Sequence, residues 1–448
     1  MAKLWEKDYR LLNDIEEFTV GEDYILDNEL VKADVFTNIA QVKMLNSIGI
    51  LNKQETSKLQ KSLKEIIKLW EKGEFKISRE QEDVHTAVEN YLTKKCCSVG
   101  AKIHIGRSRN DQVISDLRLY SKEKLLSLGE PLLALIETLL RFADKHKNVP
   151  MVGYTHSRKA MPSSVGLWAA SFAESLVDNL RILRAAYILN NRSPLGSAAS
   201  YGSNLEIDRE LLRELLGFEK IQNNVLYVNN SRGKIESIIL FALVQVMLDL
   251  SKLSEDLILF TREEFEYFTL PREVLLGSSV MPQKRNPDVL EQVRARYVQV
   301  QSYLFTVLNI LKGLPSGYNG DLQLTKEPLI KGFQITKLSL VVMDILVGKL
   351  KVNENKLVKG FSKEVFAADE ATKLAKKGMP FREAYKKVSK DLDKLGKIDP
   401  YKNIKEKKYQ GATGNLSLEE NKKQINIYKN LISEQKKKLK EVKNRLLR

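Results

Sequence analysis

Cysteine is nearly absent from this chain of 448 residues, whose only two are the neighbours Cys96 and Cys97. Adjacent thiols lack the spacing of a zinc site and sit too close for an ordinary structural bridge, so they read as buried or half-buried thiols without a redox role. Histidine is scarce, at four residues. No uninterrupted apolar run reaches the roughly 18 residues of a membrane span. The best stretch, Ile238 to Leu248, is shorter and broken by Gln245. Met1 to Asp8 is charged from the start and has no apolar signal region, which makes the cytoplasm the expected compartment and a membrane partner unexpected. Internal repeats and low-complexity linkers are missing too.

What is present describes a globular protein, with 43% hydrophobic and 29% charged residues. The length predicts two or three domains sharing a long core. A net charge of +16 invites a nucleic-acid reading, yet residues 401–448 alone carry 14 Lys+Arg against 5 Asp+Glu. That stretch has Ile425, Tyr428, Ile432, Leu439, Val442 and Leu446 at helical spacing, so the lysines read as the solvated face of a helix. Zinc-finger spacing and aromatic-basic strand motifs are lacking, and no nucleic-acid partner is expected.

Helical periodicity runs through Leu30 to Ile48 and Thr56 to Trp70, with Gly49 and Gly73 as stops. Glu82-Asp83-Val84-His85 opens another helix with acids in its first turn, and His85 reads as structural. A long helix is expected over 111–145, interrupted and kinked at Gly129-Glu130-Pro131. Further helices are expected over 163–190, 235–268, 287–312 and 327–350, the second apolar around much of its circumference. Two short helices flank Gly378-Met379-Pro380. The fold class is therefore all-α, with a bundle of long helices whose apolar breadth suggests self-association. We divide it into an N-terminal helical domain (1–105), a central bundle (106–351) and a small C-terminal helical domain (352–448).

Four polar stretches interrupt this pattern. His104 to Gln112 places Arg107, Ser108, Arg109 and Asn110 at a loop-to-helix junction, a dense set of carboxylate ligands because arginine grips a carboxylate with two parallel bonds. Gly153 to Pro162 forms a loop where His156 stands among hydroxyls and cations, suited to carrying a proton near neutral pH. Gly277 to Asp288 joins a glycine of broad backbone freedom, Ser278, Lys284 and Asn286-Pro287, read as an N-cap and first helical position. The helix that follows aims its positive end at Lys284 and the serines, making an anion site. Gly317 to Lys326 supplies Tyr318, Gln323 and Lys326 around a glycine turn.

Gly277-Ser278-Ser279-x-Met281-Pro282-x-Lys284-x-Asn286-Pro287 resembles the signature loop of the fumarase and aspartase superfamily. Gln283 and Asp288 look most like its argininosuccinate lyase branch, as do Arg107 to Val113, Glu82 to His85, Gly153 to His156 and Tyr318 to Lys326. The resemblance covers about Asp27 to Gly414. It departs from the pattern at Arg158 and Met161, where glutamines are usual, at Gly233 in place of an acid, at Gln41 in place of a histidine, and near Thr19 to Glu22, where a substrate-contacting serine has no counterpart.

The resemblance implies a three-domain lyase assembling as a homotetramer around a shared helical core, with active sites built between subunits. It implies reversible elimination of L-argininosuccinate to fumarate and L-arginine, without a metal or organic cofactor. Catalytic roles fall on Ser278, His156, Lys284 and Glu291, with Glu291 pairing with the loop histidine of another subunit. Substrate binding falls on Ser108, Arg109, Asn110, Thr155, Asn286, Tyr318, Gln323 and Lys326, and the signature loop is expected to act as a mobile lid. A serine is a poor base unless its alkoxide is stabilised, here by Lys284 and loop amides. We assign Ser278 as base and His156 as acid; the sequence leaves the reverse assignment open. Adenylosuccinate lyase or another fumarate-forming relative is the rival within this class. A non-catalytic structural protein or basic nucleic-acid binder is the rival outside it.

Overall fold

Helices dominate the computed structural model, which describes residues 11–448; the charged opening Met1 to Asp8 lies outside them. Near the N-terminus are α1 (Val31–Ser47), α2 (Lys53–Glu71) and α3 (Val84–Cys96). Asn52 starts α2 with a capping box, its side chain accepting from the Glu55 amide while Glu55 accepts from the Asn52 amide, both at 2.9 Å. Gly49 and Gly73 end their helices with positive φ, as the periodicity predicts. In α3 the acids precede the first turn rather than occupy it, because Asp83 is the N-cap. Cys96 is buried and Cys97 exposed.

Five long helices form the bundle: α4 (Arg109–Lys145), α5 (Val165–Asn190), α6 (Lys234–Phe260), α7 (Asp288–Leu311) and α8 (Lys326–Lys349). Side-chain contacts fix their directions. Asn179 and Ser175 both donate to Asp249, and Trp168 donates to Asp256, so α5 and α6 are antiparallel. Arg294 pairs with Glu255 while Leu311 packs on Gly233, so α7 also opposes α6. Tyr120 meets Phe333 edge-on and Thr138 donates to Asp344, so α4 and α8 run together. Thus α4, α6 and α8 point one way, and α5 and α7 return.

Two expected boundaries move. Helix α4 is unbroken, with Pro131 inside it. Gly129 makes room there, since an added Cβ would stand 2.5 Å from Ile432 of a crossing helix. Helix α6 stops at Phe260 rather than 268: a charged turn follows, Glu266 takes φ 46°, and Phe268–Thr269 pairs with Lys351–Val352. The stretch Val225–Phe260 is long and apolar enough to cross a membrane by length and composition, yet 61% of its most apolar window is buried inside the bundle. Packing against α5, α7 and α8 accounts for that apolarity.

One continuous core runs from Leu30 to Leu446. A separate small cluster, Ala371, Ala384 and Val388, joins α9 (Ala367–Lys376) to α10 (Phe381–Lys390). The lysine-rich stretch forms α11 (Leu418–Leu447), burying Leu418, Ile425, Tyr428, Leu439 and Leu446. Its Lys429, Lys436 and Lys443 pair with Glu137, Glu130 and Glu123 of α4. Both rows step by seven residues, as antiparallel helices at a shallow crossing require. Part of the basic charge is thereby matched within the chain. Exposed apolar side chains gather on α6 (Phe241, Leu248), α7 (Val298, Phe305, Leu308) and α8 (Leu338, Val341, Ile345).

Candidate active site

The Ser108 turn is held from several directions. Ser108 caps α4, its hydroxyl accepting from the Asn110 amide at 3.2 Å, and Asp111 answers by accepting from the Ser108 amide at 3.0 Å. Arg109 donates to Asp83 at 3.2 Å and to the Thr86 hydroxyl at 2.8 Å, with Glu82 at 3.5 Å, so α3 fixes its guanidinium. Buried Asp111 also accepts from the amides of Gly196 and Ala198, at 3.2 and 2.9 Å. This ties the Pro194-Leu195-Gly196 turn to the site.

Lys326 belongs to the same end of the bundle. It is buried, and its Nζ lies 2.5 Å from Asp27 and 3.3 Å from Asp23, which overcome the desolvation that would otherwise lower its pKa and raise it instead. Asp27 simultaneously accepts from the Val84 amide at 3.0 Å, joining Lys326 to the start of α3. Tyr318 sits under the Arg232 guanidinium, 5.7 Å from its ring centre, and Gln323 is exposed. Gly233, next to Arg232, takes φ 78°, and an added Cβ would stand 2.5 Å from Leu311. That close helix approach explains a glycine where the pattern has an acid. Gln41, in place of a histidine, donates to the Ile105 carbonyl at 2.9 Å.

At the other end of the bundle the candidate side chains face solvent. The expected loop around His156 is a hairpin of β1 (Pro150–Thr155) and β2 (Arg158–Ser164). Thr155 pairs with Arg158, leaving His156 and Ser157 as a two-residue turn with φ of 51° and 59°. Positive φ at both positions matches the twist of a tight hairpin, though residues other than glycine or asparagine adopt it at a cost. Thr155, His156 and Arg158 are all exposed.

In the signature loop, β3 (Leu276–Gly277) pairs with β4 (Arg285–Asn286), so Asn286 is a strand residue and not an N-cap. Helix α7 starts at Asp288 with Pro287 as the cap at ψ 43°, one residue later than expected. Gly277 lies in that strand without positive φ, and its conformational freedom is unused. The Ser278 hydroxyl oxygen accepts from the amides of Val280 and Met281, at 3.3 and 3.0 Å. Lys284 and Glu291 are exposed, and among the described residues no hydrogen bond or ion pair joins Ser278, His156, Lys284 and Glu291.

The two sets are far apart. Helix α7 has 24 residues between the signature loop and Leu311 beside Gly233, which is ~36 Å of helix. Helix α4, with 37 residues, puts ~55 Å of helix between Arg109 and the strand that leads to His156. A single chain therefore holds cationic anchors at one end and the serine and histidine at the other.

Asp34, His85 and Asp116 form a buried group whose candidate ligand atoms lie within 4.8 Å of one another. Their geometry is that of an internal hydrogen-bond network: His85 Nδ1 is 2.8 Å from Asp34 Oδ1 and 3.6 Å from Asp116 Oδ2. Sequence reading missed Asp23, Asp27 and Asp34. Their burial beside cations, set by long-range packing, leaves no local spacing to detect.

Solved structures share this arrangement of long helices. EDDS lyase in complex with formate has a TM-score of 0.83 at 21% identity, covering 98% of this chain and 95% of its own. The class II fumarase of Schistosoma mansoni has a TM-score of 0.72 at 17% identity, covering 86% and 94%. At these identities the likeness establishes the fold. The family model described as lyase matches residues 17–302. The argininosuccinate lyase of Bacteroides fragilis is 43% identical over 418 residues, 93% of each chain, and that of Thermotoga neapolitana is 41% identical over 387 residues, 86% of this chain and 97% of its own. The chain belongs to the argininosuccinate lyase family of the fumarase/aspartase superfamily.

Proposed function

We propose that the protein catalyses the reversible elimination of L-argininosuccinate to fumarate and L-arginine. The observation that carries this reading is the Ser278 oxygen, which already accepts two backbone amides in an exposed loop. Donors preset around an oxygen stabilise its alkoxide, the form a serine base needs. In the forward direction the alkoxide takes the C–H proton beside the succinyl carboxylate, and the electron pair moves into that carboxylate. Lys284 and the α7 N-terminus favour the resulting negative charge. The C–N bond then breaks, and His156, steadied by Glu291, gives a proton to the departing guanidino nitrogen. Ser108, Arg109, Asn110, Thr155, Asn286, Tyr318, Gln323 and Lys326 bind the carboxylates and the arginine half. No metal or organic cofactor enters this scheme.

We assemble the site from more than one chain, because the two sets of residues sit at opposite ends of the bundle. A homotetramer built through the exposed apolar strips of α6, α7 and α8 would bring one chain's loop beside another's Arg109 end. The three domains 1–105, 106–351 and 352–448, and a cytoplasmic location, complete the proposal. The test is fumarate release, followed by ultraviolet absorbance, from purified protein supplied in turn with argininosuccinate, adenylosuccinate and aspartate. Release from argininosuccinate is expected; release from adenylosuccinate alone, or from none, overturns the reading.

A further inference from the structure

The first turn of α3 is a hub. Asp83 and Thr86 hold Arg109, and the Val84 amide holds Asp27, which in turn holds Lys326. His85, between them, sends its ring the other way, where Nδ1 meets Asp34 Oδ1 of α1 and faces Asp116 Oδ2 of α4. Asp34 also accepts from Gln112 at 2.5 Å and from Asn38 at 2.7 Å, and Asn38 accepts from Arg107. Positions 107, 109 and 112, in and beside the Ser108–Asn110 turn, are thus all tied to the elements that His85 joins.

We propose that His85 is a positioning residue for the anion-binding turn, its Nδ1–H separating two buried acids so that α1, α3 and α4 lock Arg109 and Lys326 in place. This rests on the functional reading above. Carboxylates accept hydrogen bonds, so a ring nitrogen between two of them is a donor. His85 Nε2 and Asp116 Oδ2 are buried without hydrogen-bond partners, which leaves the Nδ1 contact as the ring's anchor. Without it, Asp34 and Asp116 oppose each other in a low-dielectric interior. Burial and the facing Asp34 push the Asp116 carboxyl well above the usual range. The other charged groups around the cluster are Arg107, whose buried guanidinium is lowered, Asp83, Glu89, His104, Arg109 and Asp111.

The test compares wild type, His85→Gln, Asp116→Asn and the double variant in steady-state kinetics, with circular dichroism and gel filtration to certify fold and assembly. His85→Gln is expected to raise KM about tenfold or more with kcat within about threefold. Adding Asp116→Asn removes the opposed acid and is expected to return KM to within about threefold of wild type, a coupling that a merely steric role would not give. An unchanged KM in His85→Gln, or no recovery in the double variant, overturns the proposal. If His85→Gln does not fold, folding decides: recovery of the folded state in the double variant supports the proposal, and failure of the double variant to fold overturns it. Wild-type turnover separates the two readings. If wild type releases no fumarate, the functional reading fails, and calorimetric binding of succinate by the same four proteins judges the positioning role.

Discussion

The two ends of the bundle are built on opposite principles. At the Arg109 end, two of the proposed binding cations are buried or half-buried against carboxylates: Lys326 with Asp27 and Asp23, Arg109 with Asp83. At the Ser278 end, serine, lysine and histidine are presented on a small two-stranded loop and a hairpin, and the Ser278 hydroxyl accepts from backbone amides. The first end is organised before anything binds. The second presents its polar side chains largely to solvent, where the proposed shared site would have another chain cover them.

Substitutions should separate the ends by phenotype. The largest effect is expected from Ser278→Ala: loss of about 10³-fold or more in kcat with melting temperature and assembly unchanged. Mixing it with an Arg109→Ala variant, by refolding together, should restore part of the activity. No recovery would place both residues in a site formed by one chain. Lys326→Met breaks the opposite end, leaving two acids unpaired in the interior. A loss of about 3–5 kcal/mol in denaturant unfolding is expected. Lys284→Ala, on the exposed end, should change stability by less than about 0.5 kcal/mol while lowering kcat.

Lys122 sharpens the contrast between buried and exposed cations. Burial depresses its pKa to about 8, and its ammonium donates to the Gly217 carbonyl. Because the unfolded chain holds that proton up to its ordinary, higher pKa, the folded state is penalised below pH 8 and relieved as pH climbs above it. Stability should therefore rise by up to about 3 kcal/mol between pH 8 and the ordinary lysine pKa. Lys122→Met should flatten that limb of the unfolding free energy against pH. Gly233→Ala is expected to cost about 1–3 kcal/mol of stability from the Leu311 contact and the positive φ, read as a lower melting temperature.

Much of the helical scaffold was legible in the sequence, because period and stop signals are local: Gly49, Gly73 and the Ser108 junction mark ends where the structure has them. The motif residues were legible as chemistry for the same reason. What failed at short range was backbone detail at the site. The His156 turn lacks the asparagine and glycine that announce a tight hairpin, and Asn286-Pro287 mimics a helix start that strand pairing overrides. What failed at long range was pairing. Periodicity shows that a face is buried, but which turn of one helix meets which turn of another decides that Asp27 finds Lys326, nearly 300 residues away.

The heptad rows that join α11 to α4 also bear on how the chain reaches its native state. Lys43 donates to the carbonyl of Arg445, 402 positions later, and Leu446 is buried in the same core as Leu30. Contacts of such sequence separation require large loops to close before they return any free energy, which slows folding and leaves intermediates with uncovered apolar surface. The Leu125–Leu126 face of α4 and the Leu180–Leu183 face of α5, which α11 covers, would be bare in such an intermediate. Chaperone demand and aggregation during refolding should thus be governed by how fast this one helix docks.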